Sequence, residues 1–282
     1  MEMNRMMFLF SCALLYAGTS AFAADETASV TVGKTTVTVL PDAPPSTLSL
    51  ATFTGLAEEQ MKALALKGGL ACLWRNVFTF TLDGKRVMVD TGMGKPDSPF
   101  HKTYPRDEVA RHPDVILLTH LHADHIGGLL VDGEAARFPN SKVYMSKPAF
   151  THWKDATGER AELAQKIFKA YGERIAGFDD GEEILPGLFG RFAFGHTPGH
   201  AIFETPDLFF IGDLLHAESI QFARPDICAT FDMDKAAAVT QRKAWLKKAA
   251  QSGKPIAGCH LPYIGKVTAK GEGEGFEFTK VD

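Results

Sequence analysis

His120-Leu121-His122-Ala123-Asp124-His125 puts four side chains that bind divalent cations into six positions. Imidazoles and carboxylates at that density suit a borderline-soft ion such as zinc. The hexapeptide follows Val115-Ile116-Leu117-Leu118-Thr119, an apolar run of the kind that forms a buried strand, so it opens a loop at that strand's C-terminal end. In extended backbone His120 and His122 point to the same side, as two imidazoles on one ion require. Asp124 and His125 come after the chain has turned and can serve a second ion nearby. Burying these four groups unpaired would cost several kcal/mol, which sets a metal site against the plainer reading of a solvated polar loop.

The same pattern, an apolar strand ending in His or Asp, recurs three times. Gly195-His196-Thr197-Pro198-Gly199-His200 follows an expected strand at Gly190–Phe194 and offers two candidates, His196 and His200. Asp213 ends Leu208-Phe209-Phe210-Ile211-Gly212, and His260 ends Pro255-Ile256-Ala257-Gly258-Cys259. Strand ends that converge on one sheet edge place such residues in one cleft. His101, His112, His152 and His216 show no partner pattern and read as surface or packing residues. Cys259, placed on a strand, is expected to face away from its neighbour His260 and to act as a small buried hydrophobe. No Gly-x-Ser-x-Gly elbow supplies a side-chain nucleophile.

The elements that must position these groups alternate between extended and helical runs. Ser29 to Leu40 reads as half-buried strands, broken by Pro41 to Pro45. Leu56 to Lys67 has helical spacing and closes on Gly68-Gly69. Asp83-Gly84 joins Leu70–Leu82 to Lys85–Asp90 as a hairpin. A strand at Lys142–Ser146, helices at Ala149–Ala156 and Glu159–Arg174, a helix from Asp234 to Ser252 and an extended tail from Pro255 complete the pattern. Strands then helices, twice over with no linker, indicate an α/β sandwich of two mixed sheets flanked by helices in one domain over residues 24–282.

Composition narrows the function classes. Of 282 residues 45% are hydrophobic and 23% charged, ordinary for a globular protein, and a net charge of −4 gives no electrostatic footprint for nucleic acid. Lys243, Lys247 and Lys248 read as a solvated helix face. Met6 to Ala17 is an apolar run followed by Ala21-Phe22-Ala23, the layout of a signal peptide over residues 1–23 cleaved before Ala24. That layout implies a periplasmic or secreted mature chain without stable membrane insertion. Cys72, Cys228 and Cys259 then remain, with room for one disulfide at most.

Taken together, these motifs resemble the metallo-β-lactamase superfamily, whose dinuclear hydrolases share an HxHxDH motif, a later His, a bridging Asp and a last His. The resemblance implies the αββα fold, with His120, His122 and His196 on one ion, Asp124, His125 and His260 on the other, and Asp213 between them. In the family's Gly-His-Thr-Pro-Gly-His form the first His is the ligand, which sets His200 behind it. Val89-Asp90-Thr91-Gly92 matches a motif whose Asp orients ligand imidazoles. From about Leu70 to Val281, with Ile220-Gln221-Phe222, Phe231-Asp232-Met233-Asp234 and His260-Leu261-Pro262, the chain looks like methyl parathion hydrolase-type enzymes. That likeness places Trp153 in the substrate pocket.

The implied activity is hydrolysis of a small-molecule ester, lactone or phosphotriester. A hydroxide shared by two divalent ions would attack, with Asp213 holding the ions together and Asp124 steering the nucleophile's proton. Zinc is favoured, and the carboxylates would tolerate manganese or iron. Two rivals share the fold: a periplasmic β-lactam hydrolase, one branch of which has Cys in place of Asp213, and a non-hydrolytic metal-binding relative, which has Glu in place of His122.

Overall fold

A computed structural model describes residues 27–65, 70–271 and 275–281. The expected signal peptide and Gly68-Gly69 lie outside them. Two seven-stranded sheets dominate, and in each the spatial order follows the chain. The first comprises β1 (Ala28–Val32), β2 (Thr35–Ser49), β3 (Leu70–Leu82), β4 (Lys85–Val89), β5 (Val115–Leu117), β6 (Lys142–Ser146) and β7 (Ile175–Phe178). Its first four strands are antiparallel and its last four parallel. The second comprises β8 (Glu183–Leu185), β9 (Leu188–Phe192), β10 (Ala201–Glu204), β11 (Phe209–Phe210), β12 (Ile256–Ala257), β13 (Gly265–Ala269) and β14 (Phe276–Lys280). Only its β11–β12 pair is parallel.

Period-two alternation explains the layers. Val87, Val89, Val115 and Leu117 face the second sheet's Phe203, Phe210 and Ala257, while Met88, Ile116 and Leu118 face the opposite way. Phe80 stacks on Phe210 across this interface, with centroids 5.0 Å apart. On the first sheet's outer face Met88, Ile116 and Val143 meet Ala149 and Trp153 of α1 (Lys147–Asp155) and Ala164 and Ile167 of α2 (Glu159–Tyr171). On the second sheet's outer face Phe209, Ile256 and Val267 meet Leu246 and Ala249 of α3 (Lys235–Ser252). The result is the αββα sandwich expected from the alternation of elements.

Two expectations about the elements change. Pro41 to Pro45 does not break the chain: β2 runs through it, with register shifts between Pro41 and Ala43 and again between Ala43 and Ser46. Proline lacks a ladder donor, so it is accommodated at such irregularities. The bulge buries Asp42, whose carboxylate accepts from the Met93 backbone N–H at 2.8 Å. The strand before His196 ends at Phe192, two residues early, because the Ala193 N–H turns to the His200 carbonyl at 2.9 Å.

Two backbone contacts tie the sheets together at one edge. The Ala201 N–H donates to the Thr119 carbonyl at 2.8 Å, and the Asn76 N–H donates to the Cys259 carbonyl at 3.1 Å. The residues that follow the strands of both sheets are thereby drawn to one place. Among the described residues no helix is long and apolar enough to cross a membrane.

Candidate metal centre

Four of the expected donors converge first. His120 Nε2 lies 3.0 Å from His122 Nδ1, and His196 Nε2 lies 2.9 Å from that same atom. Asp213 Oδ2 is 3.6 Å from His120 Nε2 and 3.3 Å from His196 Nε2. Donor bonds of about 2.0–2.1 Å in a tetrahedron would separate the donor atoms by about 3.3 Å, so these spacings match a zinc-sized ion.

The outer ring nitrogens show why these atoms are short of a partner. His196 Nδ1 donates to Asp232 Oδ1 at 2.9 Å, which leaves a lone pair on Nε2. Thr119 Oγ1 donates to Asp90 Oδ2 at 2.9 Å, so it accepts from His120 Nδ1 at 3.2 Å, and His120 Nε2 is likewise a lone pair. Both lone pairs face His122 Nδ1, which carries at most one proton. Such crowding of acceptors in a buried place suits a cation.

A second group meets the other oxygen of Asp213. His125 Nε2 is 3.0 Å from Asp213 Oδ1, and His260 Nε2 is 3.2 Å from each of the two Asp213 oxygens. His125 Nδ1 donates to Asp90 Oδ2 at 2.7 Å, and His260 Nδ1 donates to the Trp74 carbonyl at 2.6 Å. Both imidazoles therefore turn their Nε2 atoms to a carboxylate. Asp124 stands further off, its oxygens 3.9 Å from His125 Nε2 and 3.8 Å from His260 Nε2. The two groups share Asp213: His120 and His196 approach Oδ2, His125 approaches Oδ1 and His260 lies equally close to both, a placement open to a bridging carboxylate. His125 Nε2 and Asp213 Oδ1 are buried without a hydrogen-bond partner, and two divalent cations would satisfy both groups.

Protonation differs between the groups. Burial, with the neighbouring His196, pushes His122 down to about 3, and burial with His125 holds His120 well below the usual histidine range. Burial also opposes charge on His125 and His260. There Asp213 and Cys259 overcome it, and both imidazoles are held well above the usual range. Asp213 is the counterpart: burial would raise it, yet His125, His260 and His120 hold it well below the usual carboxylate range.

Local sequence explains the placement. Asp213 follows Gly212, whose φ is +50°, and a Cβ there would stand 2.7 Å from both His200 Nε2 and the Thr119 side chain. His196 follows Gly195, where a Cβ would collide with the backbone of Ala238 in α3 at 2.2 Å. His200 is placed behind the donors. Its Nε2 accepts from the Asp213 N–H at 3.0 Å and its Nδ1 donates to the Ala193 carbonyl at 3.0 Å, so both ring nitrogens are occupied. Burial holds it neutral, at about 3. Asp90 binds the Thr119 N–H at 2.9 Å as well as the His125 ring, and so links the two groups from behind.

Three residues depart from expectation. His216 is not a surface or routine packing residue: it is buried, its Nε2 lies 3.3 Å from Asp213 Oδ2, and its Nδ1 has no hydrogen-bond partner. Burial pushes it down to about 4. Cys259 does not face away from the site; its sulfur joins the donor atoms of His125, Asp213 and His260 in one group, all within 4.8 Å of one another. Trp153 is 4% exposed, and its ring lies 6.3 Å from that of His122. It packs behind the site in the core and is not among the residues lining the cleft.

Asp232 and Arg242 were not singled out by their types. Arg242 is fully buried in α3 and donates to the Leu214, Pro225 and Ile227 carbonyls and, at 3.3 Å, to Asp232 Oδ2. Burial would raise Asp232, but the His196 hydrogen bond, with His216 and Arg242, holds it down to about 2. His122 and His196 of the first group and Asp124 and His260 of the second line a cleft of about 260 Å³ with Asp213, and its apolar walls are Leu48, Leu73 and Phe231. Cys228 and Cys259 are free thiols.

Comparison with known proteins bears on the fold and the family. The chain is 38% identical over 109 residues to a hydroxyacylglutathione hydrolase of Photorhabdus laumondii, covering 36% of this chain and 34% of that protein. It is 36% identical over 147 residues to the hydroxyacylglutathione hydrolase of Xylella fastidiosa, covering 50% and 46%. The aligned segments thus span less than half the length of these relatives. The fold is shared with AidC, a dizinc quorum-quenching lactonase, at a TM-score of 0.82 and 24% identity over 92% of this chain and 98% of that one. It is shared equally with the hydrolase AbOPH, at a TM-score of 0.80 and 24% identity over 92% and 99%. The family model described as the metallo-beta-lactamase superfamily matches residues 75–260, which hold every donor named above. With its αββα sandwich and its strand-end histidines and aspartates, the chain belongs to the metallo-β-lactamase superfamily.

Proposed function

We propose that the protein is a dinuclear metal-dependent hydrolase of small neutral ester-type substrates, with lactones and carboxylic esters as the first class. The observation that carries this reading is Asp213, whose carboxylate stands between two groups of buried imidazole nitrogens, with His196 on Oδ2 and His125 on Oδ1. His120, His122 and His196 would hold one ion, His125, His260 and Asp124 the other, and zinc suits the imidazole-rich set. When bound, the ions supply Lewis-acid polarisation of the scissile carbonyl or phosphoryl oxygen and acidify water towards neutrality.

The chain's own residues supply the rest. The Asp124 side chain is 23% exposed where the cleft opens, and it accepts the proton of the attacking water. Burial would raise its carboxylate, but His125 and His260 hold it below the usual range, and Arg75 Nε lies 4.0 Å from it. His216 lines the cleft beside Asp213 and is placed to hydrogen-bond a substrate oxygen. Leu48, Leu73 and Phe231 exclude water from a bound acyl or alkyl group.

Charge supports a neutral substrate. Among the described cleft residues Arg160 is the one fixed cation, and it is exposed at the edge, so phosphate monoesters and diesters lack the converging cations they need. The lactonase and hydroxyacylglutathione hydrolase relatives cleave acyl bonds, which favours carbonyl over phosphorus. The test is a panel of lactone, aryl ester, phosphotriester and β-lactam substrates with metal-loaded protein. Turnover of lactone or aryl ester is expected, abolished by chelation and restored by zinc. A fully active metal-free preparation would overturn the reading.

A further inference from the structure

Cys259 is a buried free thiol in the same place as two donor atoms that lack partners. It lies on no strand: β12 ends at Ala257, and the Leu261 N–H closes a turn onto the Gly258 carbonyl at 3.1 Å. Strand alternation lapses there, and both Cys259 and His260 turn towards the centre. Asn76 pins the turn from the first sheet, donating from its backbone and its side chain to the Cys259 carbonyl at 3.1 and 3.2 Å. Cys259 is 2% exposed, and its sulfur shares its neighbourhood with His125 Nε2 and Asp213 Oδ1, both buried and without hydrogen-bond partners.

We propose that Cys259 is a thiolate ligand of the second metal position, which then reads His125, His260, Asp213 and Cys259. The inference rests on the dinuclear reading above. Metal uptake would displace the thiol proton to solvent and form a metal–sulfur bond, without any change of oxidation state. Four donors on buried, pinned backbone complete a tetrahedral set, with bonds of about 2.3 Å to sulfur and about 2.0–2.2 Å to nitrogen and oxygen. Asp124, whose oxygens stand 3.8 and 3.9 Å from the imidazoles, is thereby left free to handle protons in the cleft. A soft donor at this position selects zinc or cobalt over manganese.

The experiment loads the full mature chain with cobalt(II) and records metal content and absorbance for wild type, Cys259→Ala, Cys259→Ser and Cys228→Ala. Wild type is expected to hold two ions and show a sulfur-to-cobalt charge-transfer band in the near ultraviolet. Both Cys259 variants should lose that band and weaken the second ion by at least about tenfold, while Cys228→Ala keeps it. Cys259→Ser preserves side-chain volume and serves if the alanine variant fails to fold. Two bound ions with no sulfur band, or a band that survives in a folded Cys259 variant, would overturn the thiolate and leave the dinuclear reading standing. Fewer than two ions on wild type would overturn the dinuclear reading and the inference with it.

Discussion

The two donor groups share one carboxylate and differ in nearly everything else. The first, His120, His122 and His196, is compact, with ring nitrogens 2.9 and 3.0 Å apart, and burial keeps His120 and His122 neutral. Asp232, itself gripped by Arg242, fixes the tautomer of His196 from behind. The second is looser. His125 and His260 hold protons against Asp213, Asp124 stands back towards solvent, and a thiol takes up the remaining space. The first group is therefore ready to receive an ion, whereas the second must be deprotonated to do so. The first group is thus preorganised by its partners behind it, while the second is held by charge.

The largest effect should come from the residue that joins the groups. Asp213→Asn keeps the shape but removes the charge that both groups face, and it should lower kcat/KM by at least about 1000-fold, or roughly 4 kcal/mol. Metal analysis of the same variant should show both positions depleted. Retention of one tightly held ion would mean that the groups are less dependent on Asp213 than their distances indicate.

A pH titration sharpens the contrast. Because the values of His125 and His260 are raised, their protons are present at neutral pH and must leave as an ion enters. Affinity at the second position should therefore rise with pH through the neutral range, by about a hundredfold per unit for the two histidine protons and up to about a thousandfold per unit where the Cys259 thiol proton leaves with them. His120 and His122 are already neutral, so affinity at the first position should vary less. In the metal-free protein the sign is opposite. Raised histidine values contribute stability that is fully present below an unfolded value of about 6.5 and is lost as pH rises through the folded values. Competition titrations with a chelator between pH 6 and 8 measure both slopes, and equal slopes would remove the distinction.

The smallest effect in this series is expected at His200. His196→Ala removes a donor from the compact group and should empty it, whereas His200→Ala removes a support for the Asp213 backbone and should cost about 10–100-fold in affinity or activity. Metal content after confirming the fold by circular dichroism separates the two. Greater depletion in His200→Ala would reverse their roles.

What the sequence made legible follows from the range of the signals. His120, His122, Asp124 and His125 stand out because six consecutive positions and one preceding apolar strand carry the whole pattern. Asp213 and His260 follow the same rule, although β11 and β12 are only two residues long. The sandwich was legible because strands and helices follow one another twice along the chain with no linker between the halves. His216, by contrast, acquires its role from a bend three residues after Asp213, and Asp232 from a contact across 36 residues; neither carries a local pattern. Cys259 was misread because alternation was extended past the true end of β12. The proline run was misread because a bulge satisfies the ladder where a simple rule expects a break.

The central claim, two ions bridged by one carboxylate, is tested most directly by anomalous diffraction at the zinc edge from crystals of zinc-loaded protein, with metal content measured on the same batch. The account predicts two peaks about 3.5–4 Å apart, one among His120, His122 and His196 and one beside His125 and His260, with Asp213 between them. A single peak at full zinc loading, or two peaks with Asp213 turned away from either, would contradict it.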